Sequence, residues 1–357
     1  MATDPVTDVP THPERTLVLH LVGSPVDEAF ADLSRLYASG CLAALRADTR
    51  YDNRIAHVAP GGRWSFPDDL TPAAIAAAEE RSAARALEMI ESWGVDVVVP
   101  QMFCRPGMTS YRSVFDVLGI GRLGNSGEVM AIAADKAATR AIVAAAGVAV
   151  PDGEVVRRGD APTLSLPVVV KPVDADNSDG VTLVRDASEL PAALDTALAL
   201  GDSALVESFV ELGREVRCGI IVRDGELVCL PLEEYAVDAE TKPIRDRADK
   251  LARSDDGDLF LVAKDAEHAW IVDDDDPIVA VVHEAARRCH RALGCRHHSL
   301  FDFRIDPDGT PFFLEAGPYC SFAPGSVIAV MAKAAGIGLD EVFAIALAEL
   351  RAEQEKR

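Results

Sequence analysis

The chain has 357 residues, more than one ordinary hydrophobic core accommodates, so two or three domains are expected. Hydrophobic residues make up 49% and charged residues 26%, the mix of a folded chain and not of a disordered one. A formal net charge of −23 argues against nucleic acid or an anionic membrane as the main partner, although a local basic cleft is compatible with it.

Residues 1–14 are polar with three prolines and carry no apolar signal-peptide core, and no later stretch offers about 18 consecutive apolar residues. Seven scattered cysteines, an odd number, fit reduced thiols. A cytoplasmic location is therefore expected. TLVLHLV at 16–22 and VDVVVP at 95–100 read as buried strands, with a helical pattern over 72–93 between them. That alternation predicts an open α/β layer. A helix over 128–146 is expected to end at Gly147, and Pro151 marks the passage to a segment of different character. There, short strands at 167–171, 181–184 and 204–209 and a helix over 188–200 point to α+β. Strands at 215–222 and 226–230 are joined by the turn Arg223-Asp224-Gly225. Acidic stretches at 254–258 and 273–276 read as solvated loops.

Lys171 ends an apolar strand and precedes PVDADNSDG, a loop whose backbone N–H groups, with Ser178, suit phosphate oxygens. With Lys136 upstream and Glu207 and Glu215 downstream, these are the parts of a nucleotide–magnesium site that lacks the Walker sequence. Between 283 and 298, HEAARRCHRALGCRHH is rich in metal-ligand types. Its spacing fits no standard zinc site, and His283 and His290 more simply share one side of a helix ended by Gly294.

The stretch FDFRIDPDGTPFFLEAG at 301–317 reads as a hairpin. A loop over 307–310 would pair Asp306 with Pro311 and Asp302 with Glu315. Alternation then sends Phe303, Ile305, Phe312 and Leu314 to one face and Asp302, Arg304, Phe313 and Glu315 to the other. Facing carboxylates repel, and Mg2+ between them would remove the conflict. A solvated acidic face is the alternative.

These stretches, in this order, resemble the ATP-grasp superfamily, in its D-alanine:D-alanine ligase-like branch, over about residues 95–350. The resemblance implies an N-terminal open α/β domain over 15–125, a central lid over 126–205 and a C-terminal magnesium and ATP domain over 206–357. Lys136 and Lys171 are implied to bind ATP phosphates with Ser178. Glu207 and the backbone near Val210 would read the adenine, Glu215 the ribose, and Asp302 and Glu315 would hold Mg2+. Lys171, Arg304 and Ser326 are placed nearest the chemistry, and Arg217, Lys242, Arg245, Tyr319, Ser321 and Ser326 toward the substrate.

Two family features are missing. Gly317 stands where an asparagine completes the metal shell, and Leu300 where an arginine steadies substrate and oxyanion. LHLVGSPVDEAFADLSRLYASGCL, VVPQMFCRPGMTSYRSVFDVLGI, LPLEEYAVDAETKPIRDRADKL and FLEAGPYCSFAPGSVI look like the ligases of mycosporine-like amino acid biosynthesis. That resemblance implies ATP-dependent joining of serine or threonine to mycosporine-glycine through a phosphorylated enaminone, by a homodimer. A dipeptide ligase working through an acyl phosphate, or a nucleotide-binding protein without chemistry, are the competing readings.

Overall fold

The computed structural model describes residues 15–175, 178–238, 240–244, 251–253, 259–261 and 268–356. Arg245 and the stretch 254–258 lie outside them. The first sheet has strands β1 (Thr16–Gly23), β2 (Tyr51–Val58), β3 (Trp64–Ser65), β4 (Val97–Pro100) and β5 (Gly121–Arg122) in the order β3-β2-β1-β4-β5. All are parallel except the edge strand β3. Helices cover it: α1 (Glu28–Leu45), α2 (Pro72–Ala77), α3 (Ala83–Ser92), α4 (Arg105–Met108) and α5 (Ser110–Val117). Central β1 is buried along its whole length, which is why it reads as an unbroken apolar run. Strand order reverses between β1 and β4, and an open parallel sheet forms its crevice beyond the carboxyl ends at such a point. Gly23 ends β1 with φ +102°, and a Cβ there would lie 2.0 Å from the Val58 carbonyl oxygen, so no other residue fits the turn.

The helices α6 (Gly127–Ala133) and α7 (Lys136–Ala145) lead to a four-stranded sheet of β6 (Gly153–Arg157), β7 (Val168–Pro172), β8 (Thr182–Val184) and β9 (Ser203–Ser208), ordered β6-β9-β7-β8, with α8 (Leu190–Leu198) on one face. This sheet has its own core of Val156, Val168, Val170, Val184 and Val206 with Ala193 and Ala197. The third sheet contains β10 (Arg214–Arg223), β11 (Glu226–Cys229), β12 (Glu233–Tyr235), β15 (Ala269–Ile271), β16 (His298–Ile305) and β17 (Pro311–Ala316), and the pair β13 (Leu251–Arg253) and β14 (Leu259–Leu261) stands apart from it. Helix α9 (Pro277–Ala292) packs on this sheet, while α10 (Val327–Ala334) and α11 (Leu339–Glu355) share a core with the first sheet through Val18, Val97, Phe322 and Phe343. No described helix is long and apolar enough to cross a membrane.

Three expectations change. The helix over 72–93 is interrupted because Arg81 pairs its backbone with Trp64 and Ser82 starts a new helix, accepting from the Arg85 N–H. The helix over 128–146 breaks at 134–135, where Asp135 caps α7 by accepting from the Ala138 N–H. That break frees the Lys136 N–H to donate to the Val173 carbonyl at 2.9 Å, tying α7 to the strand end that follows Lys171.

The hairpin is the third. Ile305, not Asp306, pairs with Pro311, and the Asp306 N–H donates to the Thr310 carbonyl. A bulge between Asp302 and Phe303 then absorbs one residue, so Asp302 still pairs with Glu315. The shift puts Phe313 in the core with Phe301 and Phe303 and leaves Leu314 beside Glu315 in a crevice, the reverse of strict alternation.

Candidate active site

Strand register sets a single row of charged residues across four strands. Glu233 on β12 pairs with Arg217 on β10, Arg217 with Asp302 on β16, and Asp302 with Glu315 on β17. Arg217 Nε lies 2.5 Å from Asp302 Oδ1, and its guanidinium sits 5.0 Å from the centre of the Tyr235 ring. Burial opposes the charge on Arg217, but Asp302 outweighs it and holds the guanidinium protonated. Lys136 Nζ, at the start of α7, lies 3.0 Å from Glu315 Oε1 and also donates to the Ala175 carbonyl. The carboxylates are therefore not an uncompensated pair, as their register alone suggested. Each carries its own cation.

Beside that row, a second cross-strand pair joins Glu215 to Arg304, whose Nη2 lies 2.8 Å from Glu215 Oε2. Arg304 also donates to the Pro243 and Val210 carbonyls and covers the Phe209 ring at 5.2 Å. Lys171 on β7 is buried and reaches Glu207 on β9, Nζ to Oε2 2.6 Å, with Arg140 Nε 3.4 Å from the other carboxylate oxygen. Lys171, Glu207, Glu215 and Arg304, with Ser178, Phe209, Val210 and Leu314, line one crevice. Ser178 has φ +62°, a left-handed conformation that turns the loop between β7 and β8. The crevice thus gathers Lys136, Lys171, Ser178, Glu207, Val210, Glu215, Asp302, Arg304 and Glu315 from six elements and the loops between them. Arg140 and Phe209 beside it were not anticipated from sequence, one hidden on a helix face and the other in an apolar strand end.

A second cavity of about 1110 Å3 adjoins it, and Lys136, Ala175, Asp302 and Glu315 line both. The two acidic side chains and one lysine therefore stand at the junction. No third His, Cys, Asp or Glu joins the acidic pair among the described residues. Two hard oxygen donors suit Mg2+, which completes its shell with water and phosphate oxygens in preference to an all-protein cage.

The larger cavity draws its walls from all four unusual sequence stretches: Val26, Phe30, Leu33 and Tyr37 from the first, Phe103, Arg105 and Met108 from the second, Tyr235 and Lys242 from the third, and Tyr319, Ser321 and Ser326 from the fourth. Arg217 and Leu300 complete the wall near the acidic pair. Ser326 caps no backbone group of α10, and neither its Oγ nor that of Ser321 has a hydrogen-bond partner among the described residues, although the Ser326 hydroxyl lies close enough to the Cys320 thiol to influence it. His283 and His290 instead serve packing, with His283 Nε2 3.2 Å from the Leu230 carbonyl and His290 Nδ1 2.8 Å from Ser299 Oγ.

The family model described as D-ala D-ala ligase C-terminus matches residues 146–347. The chain is 31% identical to D-alanine–D-alanine ligase A of Mesorhizobium japonicum over 379 aligned positions, covering 96% of the chain and 99% of that protein. Its fold is similar to the VanG D-Ala:D-Ser ligase from Enterococcus faecalis, with a TM-score of 0.74 and 20% identity over 94% of this chain and 100% of that one. A D-alanine–D-alanine ligase from Bacillus anthracis complexed with ATP gives a TM-score of 0.70 and 18% identity over 96% and 100%.

Proposed function

This chain belongs to the D-alanine–D-alanine ligase family of ATP-grasp enzymes, ADP-forming C–N ligases that use ATP and Mg2+, and from that footing we propose that it joins an amino acid to mycosporine-glycine. The observation that carries the proposal is the convergence of four distant, family-atypical stretches on one cavity of about 1110 Å3 against the acidic pair. That volume lies just above the usual range of small-molecule sites, about 300–1,000 Å3.

In the proposed reaction the γ-phosphoryl group moves from ATP to the ring carbonyl oxygen of the enaminone, and ADP leaves. The amine of the second substrate, typically serine or threonine, adds at that ring carbon and loses a proton. The C–O bond then breaks, the electrons return through the conjugated system, and phosphate departs with the former carbonyl oxygen. Asp302 and Glu315 would hold Mg2+, which neutralises charge on the phosphate oxygens when bound. Lys136 and Lys171 would carry positive charge to the transferring phosphoryl group, where electrostatic stabilisation contributes most. Arg304 would fix the Glu215 carboxylate toward the ribose, and Glu207 and the Val210 backbone would meet the adenine. Arg217, one strand away from Leu300, would supply the guanidinium that the family carries at the latter position. Ser326, Ser321, Tyr319, Lys242 and Arg245 are proposed on the substrate side. Residues 126–205 as a lid, a cytoplasmic homodimer and residues 206–357 as the magnesium domain belong to the same proposal.

Dipeptide ligation through an acyl phosphate is the second reading, favoured by the activity named for the 31%-identical relative. ADP release distinguishes the two. It should require mycosporine-glycine and an amino acid together and accompany a chromophore at longer wavelength. Robust D-Ala-D-Ala formation with mycosporine-glycine inert would reject the proposal.

A further inference from the structure

Three aromatic rings from three separate elements form one continuous wall of the larger cavity. Tyr37 on α1 meets Phe103 beyond β4 with ring centres 5.1 Å apart and planes inclined at 56°, and Phe103 meets Tyr319 at 5.8 Å and 67°. All three line the cavity and are only partly buried. Phe30 and Leu33 continue the apolar surface.

A buried polar network fixes this wall from behind. Gln101, two residues before Phe103, donates from Nε2 to the Ser321 carbonyl at 2.8 Å, joining the end of β4 to the loop that carries Tyr319. Its Oε1 lies 3.2 Å from His20 Nδ1, and His20 Nε2 is 2.9 Å from the Asn53 side-chain amide. Burial lowers the His20 pKa, and because Gln101 Nε2 is committed to the Ser321 carbonyl, Nδ1–H of the neutral ring donates to Gln101 Oε1, while Nε2 faces Asn53 Oδ1. Ser34 on α1, one turn before Tyr37, accepts from the Gly23 N–H and donates to the Gln101 carbonyl, both at 2.7 Å. Satisfied buried networks of this kind specify one arrangement of the elements they join. Here they preset the spacing of three rings before any ligand arrives. At the edge of the wall Ser321 is 3% exposed, and its hydroxyl has no partner among the described residues. A buried, unanswered hydroxyl next to an aromatic surface suits a ligand with a flat π face and an oxygen or nitrogen at its rim.

We infer that Tyr37, Phe103 and Tyr319 form a preorganised clamp that selects a flat, conjugated ring substrate, with Ser321 hydrogen-bonding a polar substituent of that ring and Gln101 acting as the positioning residue. The inference deepens the proposed function and rests on it for the identity of the ring.

The test is isothermal titration of the full-length enzyme, with magnesium and a non-hydrolysable ATP analogue, by 3-aminocyclohex-2-en-1-one and separately by D-alanine. This ring is a bare vinylogous amide without an amino-acid arm. Wild type should bind it, Phe103→Leu and Tyr37→Leu should each weaken binding by roughly threefold to tenfold, and D-alanine titrations should not change. Unchanged ring affinity in both variants, no ring binding by wild type, or a parallel loss of D-alanine binding would overturn the clamp. Saturation-transfer NMR on wild type, irradiating aromatic protons, needs no variant: transfer to the ring protons supports the clamp and its absence opposes it. Ring binding that obeys these expectations in an enzyme inert toward mycosporine-glycine would uphold the clamp while rejecting the proposed function.

Discussion

Asp302 stands opposite Glu315 across β16 and β17, yet each is already neutralised, Asp302 by Arg217 at 2.5 Å and Glu315 by Lys136 at 3.0 Å. Removing a carboxylate therefore strands a cation where simple cross-strand repulsion would have predicted relief. Arg217 is the more deeply buried of the pair, its side chain 11% exposed against 18% for Asp302. In EDTA, Asp302→Asn should lose about 1–3 kcal/mol in urea melts, because the buried Arg217 guanidinium loses its directly bonded carboxylate. Glu315→Gln should cost less, since Lys136 keeps the Ala175 carbonyl. Both should abolish magnesium-dependent turnover. Asp302→Asn at or above wild-type stability would show that repulsion between the carboxylates outweighs the Arg217 pair.

Lys171 is bound to a carboxylate in the same way, and Glu207 is only 4% exposed. Lys171→Met should cut ATP turnover at least ~100-fold by removing charge from the phosphates. It should also destabilise the ligand-free enzyme by about 1–3 kcal/mol, since Glu207 keeps only Arg140. Adding Glu207→Gln should restore part of the stability and none of the turnover. Recovery of turnover in the double variant would remove Lys171 from phosphate binding.

Acid should destabilise the fold before carboxylates titrate. Burial, with a smaller contribution from Arg35, lowers the His57 pKa to about 4, and burial with Arg291 does the same for His290. Unfolded, both take up a proton near the ordinary histidine value of about 6.5. Their contribution is full above that value and is lost as pH falls toward 4, because the unfolded chain binds protons that the native state refuses. Each histidine should add a slope of about 1.4 kcal/mol per pH unit in that window. Denaturant melts from pH 7 to pH 4 on wild type and on His57→Gln/His290→Gln check this, the double variant showing a shallower slope.

Much of this arrangement is legible in sequence, and what is not has physical reasons. Asp302 and Glu315 pair as the expected hairpin register has it, although the turn is one residue longer than expected and a bulge restores that register. Nothing in PDGTPFFLE announces that bulge, since both registers bury phenylalanines. The break before Lys136 was hidden because Ala134 and Asp135 fit a continuing helix, and only the cap on the Ala138 N–H and the Val173 carbonyl decide it. The wall of Tyr37, Phe103 and Tyr319 and the Gln101 network come from contacts between residues 11 to 220 positions apart. Local periodicity carries no trace of such contacts. The one available signal was indirect: the stretches containing those rings departed from the dipeptide-ligase pattern.

Oxygen tracing from substrate to phosphate decides between enaminone and carboxylate activation. Mycosporine-glycine labelled with 18O at its ring carbonyl, incubated with the enzyme, Mg2+, ATP and serine, should transfer one label to inorganic phosphate for each ADP formed, and the imino product should contain none. Mass spectrometry of the phosphate reads this without reference to rate or affinity. Unlabelled phosphate alongside turnover, or label appearing only when the carboxylate of an amino acid carries it, would contradict phosphorylation of the ring oxygen and identify the chain as an acyl-phosphate ligase.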